Sequence, residues 1–138
     1  MAEEVLVKEA LLAEEIAAGE ELLKRLDQAK AGIIAAYWIY EPSAALWTLE
    51  FVSPQVESKG PLEFYALINE LVSNHPKMPI WLGVHIIMVL GPNYSFFKSL
   101  RAALNPRREL CGIKLNQVVV GDMVVDMYIY RFPKNGAA

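Results

Sequence analysis

The residues with chemistry to offer gather in one short stretch. Near the C-terminal end, VVVGDMVVDMYIYRF places Asp126, Tyr128 and Tyr130 at alternate positions of an apolar run. Alternate residues of a strand share a face, so a carboxylate and two phenols line up on one side. Such a set can serve as the acid of a site or orient a histidine that acts as general base. The histidine it would serve is His85, inside the apolar run WLGVHIIMVL. Asp126, Tyr128, Tyr130, His85 and Gln117 are therefore the candidate residues of a ligand pocket or active site. A plainer role competes with this one. Asp126 can be a structural acid, accepting from Gln117, a tyrosine hydroxyl or the backbone, as a polar group on an apolar face requires. A lone histidine on a buried strand is commonly a hydrogen-bonded core residue.

Gly121-Asp122 suits a two-residue hairpin turn with glycine first, and such a turn sets the register of its strands. Val120 then faces Met123, Val118 faces Val125, and Asn116 faces Met127, with Lys114, Ile129 and Arg131 on the same side. The opposite side pairs Val124 with Val119, Asp126 with Gln117, Tyr128 with Leu115 and Tyr130 with Ile113.

Other constellations are weaker. Glu50 is isolated from any Glu-x-Lys pair that would suggest a nuclease. The chain has no GxGxxG, P-loop or GxSxG. Its two histidines, ten residues apart, lack a paired acid at ligand spacing, so no metal or cofactor is expected. The single cysteine, Cys111, excludes an intrachain disulfide and reads as a buried thiol near a strand start. Between Lys98 and Lys114 the bases outnumber the acids. Arg101, Arg107 and Arg108 are the candidates there for binding a phosphate, another anion or RNA. A net charge of −3 argues against nucleic acid as the main partner.

Positioning these residues falls to a predicted order of αββαβαββ. Leu12, Ile16, Gly19, Leu23 and Leu26 recur at helical spacing and predict a first helix over about 3–30. AGIIAAYWIYEP and ALWTLEFVSP predict an antiparallel hairpin, with Trp47, Leu49 and Phe51 alternating against Thr48, Glu50 and Val52. Residues 53–60 read as a polar loop. Pro61 opens a second helix, which ends at Asn74-His75-Pro76. The run from Ile80 to Leu90 reads as a central buried strand. A short helix closes at Pro106, the last hairpin follows, and 133–138 reads as a frayed tail. The expectation is one α+β domain over 1–138, with about five mostly antiparallel strands and three helices.

The acidic opening helix, the element order and the DMYIYRF ending together resemble a group of small bacterial α+β proteins. The residue-level likeness is confined to Asp126 to Phe132. That group has no assigned activity, so the resemblance implies a bacterial cytoplasmic setting and supplies no catalytic residue or ligand.

Hydrophobic residues make up 54% of the chain, more than one small core absorbs with ease. With no recognised catalytic motif, the first expectation is a non-enzymatic protein-interaction module that self-associates, most simply as a homodimer. The second is a small-molecule-binding protein or enzyme built around Asp126. The third is anion or RNA binding through the basic segment. An acidic start without a long apolar run predicts a cytoplasmic protein that does not contact membrane.

Overall fold

A computed structural model describes residues 10–43, 45–76, 78–79 and 87–136. Helix α1 spans Ala13–Gln28 and strands β1 and β2 span Ala35–Glu41 and Leu46–Val52. Helices α2 and α3 follow at Pro54–Lys59 and Pro61–Ser73, then strand β3 at Ile87–Leu90 and helix α4 at Ser95–Leu104. Strands β4 and β5 close the fold at Ile113–Val120 and Met123–Arg131. The fold is α+β, with one five-stranded sheet ordered β3-β2-β1-β5-β4. Only the β2–β3 pairing is parallel.

The central strand is β1, not the run ending at Leu90. Six of its residues in succession are buried, as expected of a strand covered on both faces. Ala36, Trp38 and Tyr40 face the core under α1, α2 and α3, which also takes Leu22, Leu26, Phe64 and Ile68. Ala35, Tyr37 and Ile39 face the core under α4, with Phe97 and Leu100. The expected alternation of β2 holds. Trp47, Leu49 and Phe51 enter the first core, while Val52 enters the second.

Strand β3 lies at the sheet edge, and the preceding residues 80–86, with His85, lie outside the described residues. The edge is served from α3, where the Tyr65 hydroxyl accepts the Val89 N–H at 3.1 Å. An edge strand otherwise presents unpaired donors. The described residues Ile87–Leu90 of β3 are nonetheless covered on both faces, Ile87 and Val89 by the first core and Met88 and Leu90 by the second.

Helix α1 begins later than its periodicity suggests, at Ala13, and residues 1–9 lie outside the described set. The Glu15 carboxylate accepts the Leu12 N–H at 2.8 Å, satisfying one of the donors a helix start leaves over. Near its other end Arg25 pairs with Glu21 at 2.9 Å and meets Nε2 of His75, tying α1 to the end of α3.

Residues 53–60 are not a loop. Ser53 caps α2 by accepting the Gln55 N–H at 3.1 Å, and Pro54 occupies the first turn. The buried Ser53 hydroxyl also donates to the Ala31 carbonyl at 2.6 Å. The segment 133–136 is held as well. The Asn135 N–H donates to the Pro106 carbonyl at 2.8 Å, and Leu110 bridges to Phe132 just before it. Among the described residues no helix is long and apolar enough to cross a membrane.

Candidate functional site

Strand β5 carries the candidate residues, and its two faces divide cleanly. Val125, Met127 and Ile129 enter the core under α4, while Tyr128 and Tyr130 pack against the core under α1. Gly121, at φ +61, supplies the positive φ that a glycine-first turn requires. Near that turn the predicted register holds, with Val120 opposite Met123, Val119 opposite Val124 and Val118 opposite Val125.

Beyond that point the register shifts. Leu115 pairs with Met127, Lys114 with Tyr128 and Ile113 with Ile129, so Asn116 and Gln117 together oppose the single residue Asp126. This is a β-bulge, with Gln117 in the left-handed region at φ +57. It corrects the expected pairs of Asn116 with Met127, Leu115 with Tyr128 and Ile113 with Tyr130. Leu115 turns to the α4 side. Lys114 and Asn116 come round to the side of Asp126 and Tyr128.

The bulge also explains Asp126. Its side chain is only 6% exposed, and its Oδ1 accepts the backbone N–H of Gln117 at 2.8 Å. A bulged residue leaves the strand ladder, so its backbone N–H has to find a partner elsewhere. The carboxylate supplies that partner. Its contact is with Gln117's backbone, while the residue itself is exposed.

Above Asp126 a cleft of about 200 Å³ opens between the start of α1 and the hairpin. Leu11, Ile16 and Trp47 are among its apolar lining, and Asp126, Tyr128, Asn116 and Lys114 supply its polar groups. Trp47 is held by Tyr40, their ring centroids 5.4 Å apart. Tyr40 is in turn the β1 partner of Asp126.

Tyr130 belongs elsewhere. Its hydroxyl accepts from Trp38 Nε1 at 2.8 Å and donates to the Ile16 carbonyl at 2.6 Å, fastening α1 to the sheet. Burial raises its pKa above the ordinary phenol value. It lines a broad groove along α1 with Glu20, Cys111 and Arg131 rather than the Asp126 cleft. In that groove Arg131 grips Asp27 through two nitrogens, at 3.0 and 2.7 Å, and reaches the Ile33 carbonyl. The Asp27 carboxylate at the fork raises the guanidinium's pKa further.

The structure thus brings Asp126 and Tyr128 into one cleft and adds Asn116, which the sequence reading had not assigned to a site, with Trp47 and with Lys114 from the end of the basic segment. One signal was available. The adjacent polar pair Asn116-Gln117 interrupts the alternation of an otherwise apolar strand. His85 lies outside the described residues. Arg101, Arg107 and Arg108 do not line the cleft. The Arg101 guanidinium donates to the Lys134 carbonyl at 3.2 Å, while Arg107 and Arg108 are exposed in the segment after α4. Cys111 is exposed, not buried, because it precedes β4 at the open end of the hairpin. Among the described residues no group of three or more metal-ligating side chains comes together.

A second buried acid went unassigned. Glu50 is 7% exposed on the α4 side of the sheet, with Tyr37 as its cross-strand neighbour. Burial pushes its carboxyl up to about 7, the phenol pulling back only in part. Among the described residues neither Glu50 Oε1 nor the Tyr37 hydroxyl meets a partner at sound hydrogen-bond geometry.

Compared with protein-family models, curated proteins and solved structures, the chain shows no significant match.

Proposed function

We propose that the protein is a small non-enzymatic binding module that associates with a second copy of itself through the open face of the β4–β5 hairpin. The supporting observation is the cross-strand pair Val119 and Val124, 63% and 46% exposed. A facing apolar pair gains by burial, and a two-fold contact sets the same two residues of each copy together. The outer edge of β4 is the poorer contact. Its bulge and Lys114 are devices that blunt strand-to-strand pairing. Opposite charge adds to the approach. Helix α1 carries Glu14, Glu15, Glu20, Glu21 and Asp27 against Lys24 and Arg25, whereas Lys98, Arg101, Arg107, Arg108 and Lys114 outnumber Glu109. A free exposed thiol at Cys111 suits a reducing, cytoplasmic setting. Light scattering after size exclusion tests the reading. The expected result is a concentration-dependent dimer that Val119→Lys converts to monomer. A wild-type chain that stays monomeric at high concentration ends the proposal.

A second reading rests on the cleft. A buried carboxylate at the base, an aromatic wall and an amine nearby form a polar-anchored apolar recess of the kind that takes a small molecule. Asp126→Asn is expected to abolish ligand binding with the fold retained.

A further inference from the structure

We infer that the chain's own segment Val5-Leu6-Val7 covers the Val119–Val124 pair within a single copy, as a strap, and so competes there with the second copy. The strap stands on the geometry below; its competition rests on the first reading above.

The described chain begins on the right side of the sheet. Ala10 and Leu11 line one cleft together with Asn116 and Asp126, so the chain meets the fold over the hairpin. Val118, Val120 and Val125 enter the core under α4. Val119 and Val124, between them in the strand alternation, therefore face the other side, the side of that cleft. Direction agrees. Leu12, the residue before α1, has an extended backbone at φ −83 and ψ 151, so the helix does not carry the chain away from the hairpin.

Reach agrees as well. Val124 stands two residues before Asp126 on β5, about 7 Å along the strand, and Val119 faces it across the hairpin. Val7 and Val5 stand three and five residues before Ala10. An extended chain spans roughly 10 and 17 Å over those lengths, enough to set both on the pair.

Chemistry selects these residues. Val5-Leu6-Val7 is an apolar trio between Glu3-Glu4 and Lys8-Glu9. Alternate residues of an extended chain share a side, so Val5 and Val7 can meet Val119 and Val124 together. Covering a pair that is 63% and 46% exposed is favourable. One face does not hold the strap and a second copy at once. A segment tethered a few residues away acts at an effective concentration in the millimolar range. It therefore holds the face in dilute solution and yields to a second copy as concentration rises.

The test is a paramagnetic NMR measurement on the full chain. Glu4→Cys in a Cys111→Ser background takes a nitroxide label beside the trio. In dilute solution the label should broaden the Val119 and Val124 amide signals of its own chain. It should leave those of an isotope-labelled, nitroxide-free chain mixed with it sharp. Adding Val5→Ser and Val7→Ser should restore the signals. Light scattering should show the chain carrying only those two serines dimerising at least about tenfold more tightly than wild type, because the open face is then the whole population. No broadening at Val119 and Val124, broadening only in the mixture, or broadening that survives the two serines overturns the strap. Broadening within the single chain, with a serine variant that pairs no better than wild type, keeps the strap and overturns self-association through this face.

Discussion

The Asp126 carboxylate and the Gln117 backbone N–H meet at 2.8 Å across the β4–β5 hairpin, and that contact closes the bulge. In that bond the carboxylate accepts from a donor at the bulge, where the strand pairing shifts register. Asp126→Ala removes the acceptor, so unfolding in urea should show a loss of about 1.5–3 kcal/mol, the worth of a hydrogen bond to a charged group. Asp126→Asn, which keeps an oxygen, should lose clearly less. Equal losses for the two would mean that the charge, not the acceptor, holds the bulge.

Gln117 contributes the opposite effect. A non-glycine residue in the left-handed region costs roughly 1–2 kcal/mol, and glycine enters that region freely. Gln117→Gly should therefore stabilise the chain by up to about 1 kcal/mol, part of the gain going to the greater freedom of the unfolded glycine. The midpoint of a urea transition reads this directly. A decrease in stability would show that the Gln117 side chain contributes more than its backbone strain costs.

Much of the frame was legible from periodicity. Of the predicted face of α1, Gly19, Leu23 and Leu26 are buried, whereas Leu12 at the helix start is exposed, and Trp47, Leu49 and Phe51 alternate inward as their spacing implies. Gly121 placed the last turn and the three pairs beside it. What was illegible came from contacts distant in sequence. No local pattern says that β3 pairs parallel with β2 at the sheet edge. The bulge hid because its left-handed residue is glutamine, where glycine would have advertised it. Helix α2 hid because its six residues are polar apart from Val56, although Ser53-Pro54 is a cap followed by a first-turn proline. The cleft depends on the bulge, so its membership could not be read before the bulge was known.

Gly19 shows how closely α1 sits on the sheet. A Cβ there would lie 2.2 Å from the Tyr130 hydroxyl and 3.0 Å from Trp38 Nε1. Gly19→Ala must displace the helix or break the bonds that Tyr130 makes with Trp38 and Ile16. Although alanine favours helix by about 1 kcal/mol, overpacking of this kind costs roughly 1–3 kcal/mol, so the melting temperature should fall. In a Tyr130→Phe background the same change should cost less, because the closest clashing atom is gone. A double-mutant cycle measures the difference, and strict additivity would show that the contact does not limit the helix position.

Glu50 predicts the pH dependence of stability. Its folded pKa is about 7 against an ordinary 4.5, because ionising the buried carboxyl forfeits hydration that the Tyr37 phenol replaces only in part. Below the ordinary value both folded and unfolded chains hold the proton, and this group's contribution to stability is fully present. As pH rises past 4.5 the unfolded chain releases the proton while the folded chain keeps it, so stability falls until the folded carboxyl titrates near 7. At about 1.4 kcal/mol per pKa unit the loss approaches about 3 kcal/mol. Denaturation of the wild type should therefore become easier across that window and level off above it. Glu50→Gln removes the titrating group and should flatten this part of the profile, leaving the variant more stable than wild type at mildly alkaline pH. If the two profiles run parallel from acid to alkali, Glu50 ionises in the folded chain as freely as in water, and the α4 core admits more solvent than its packing implies.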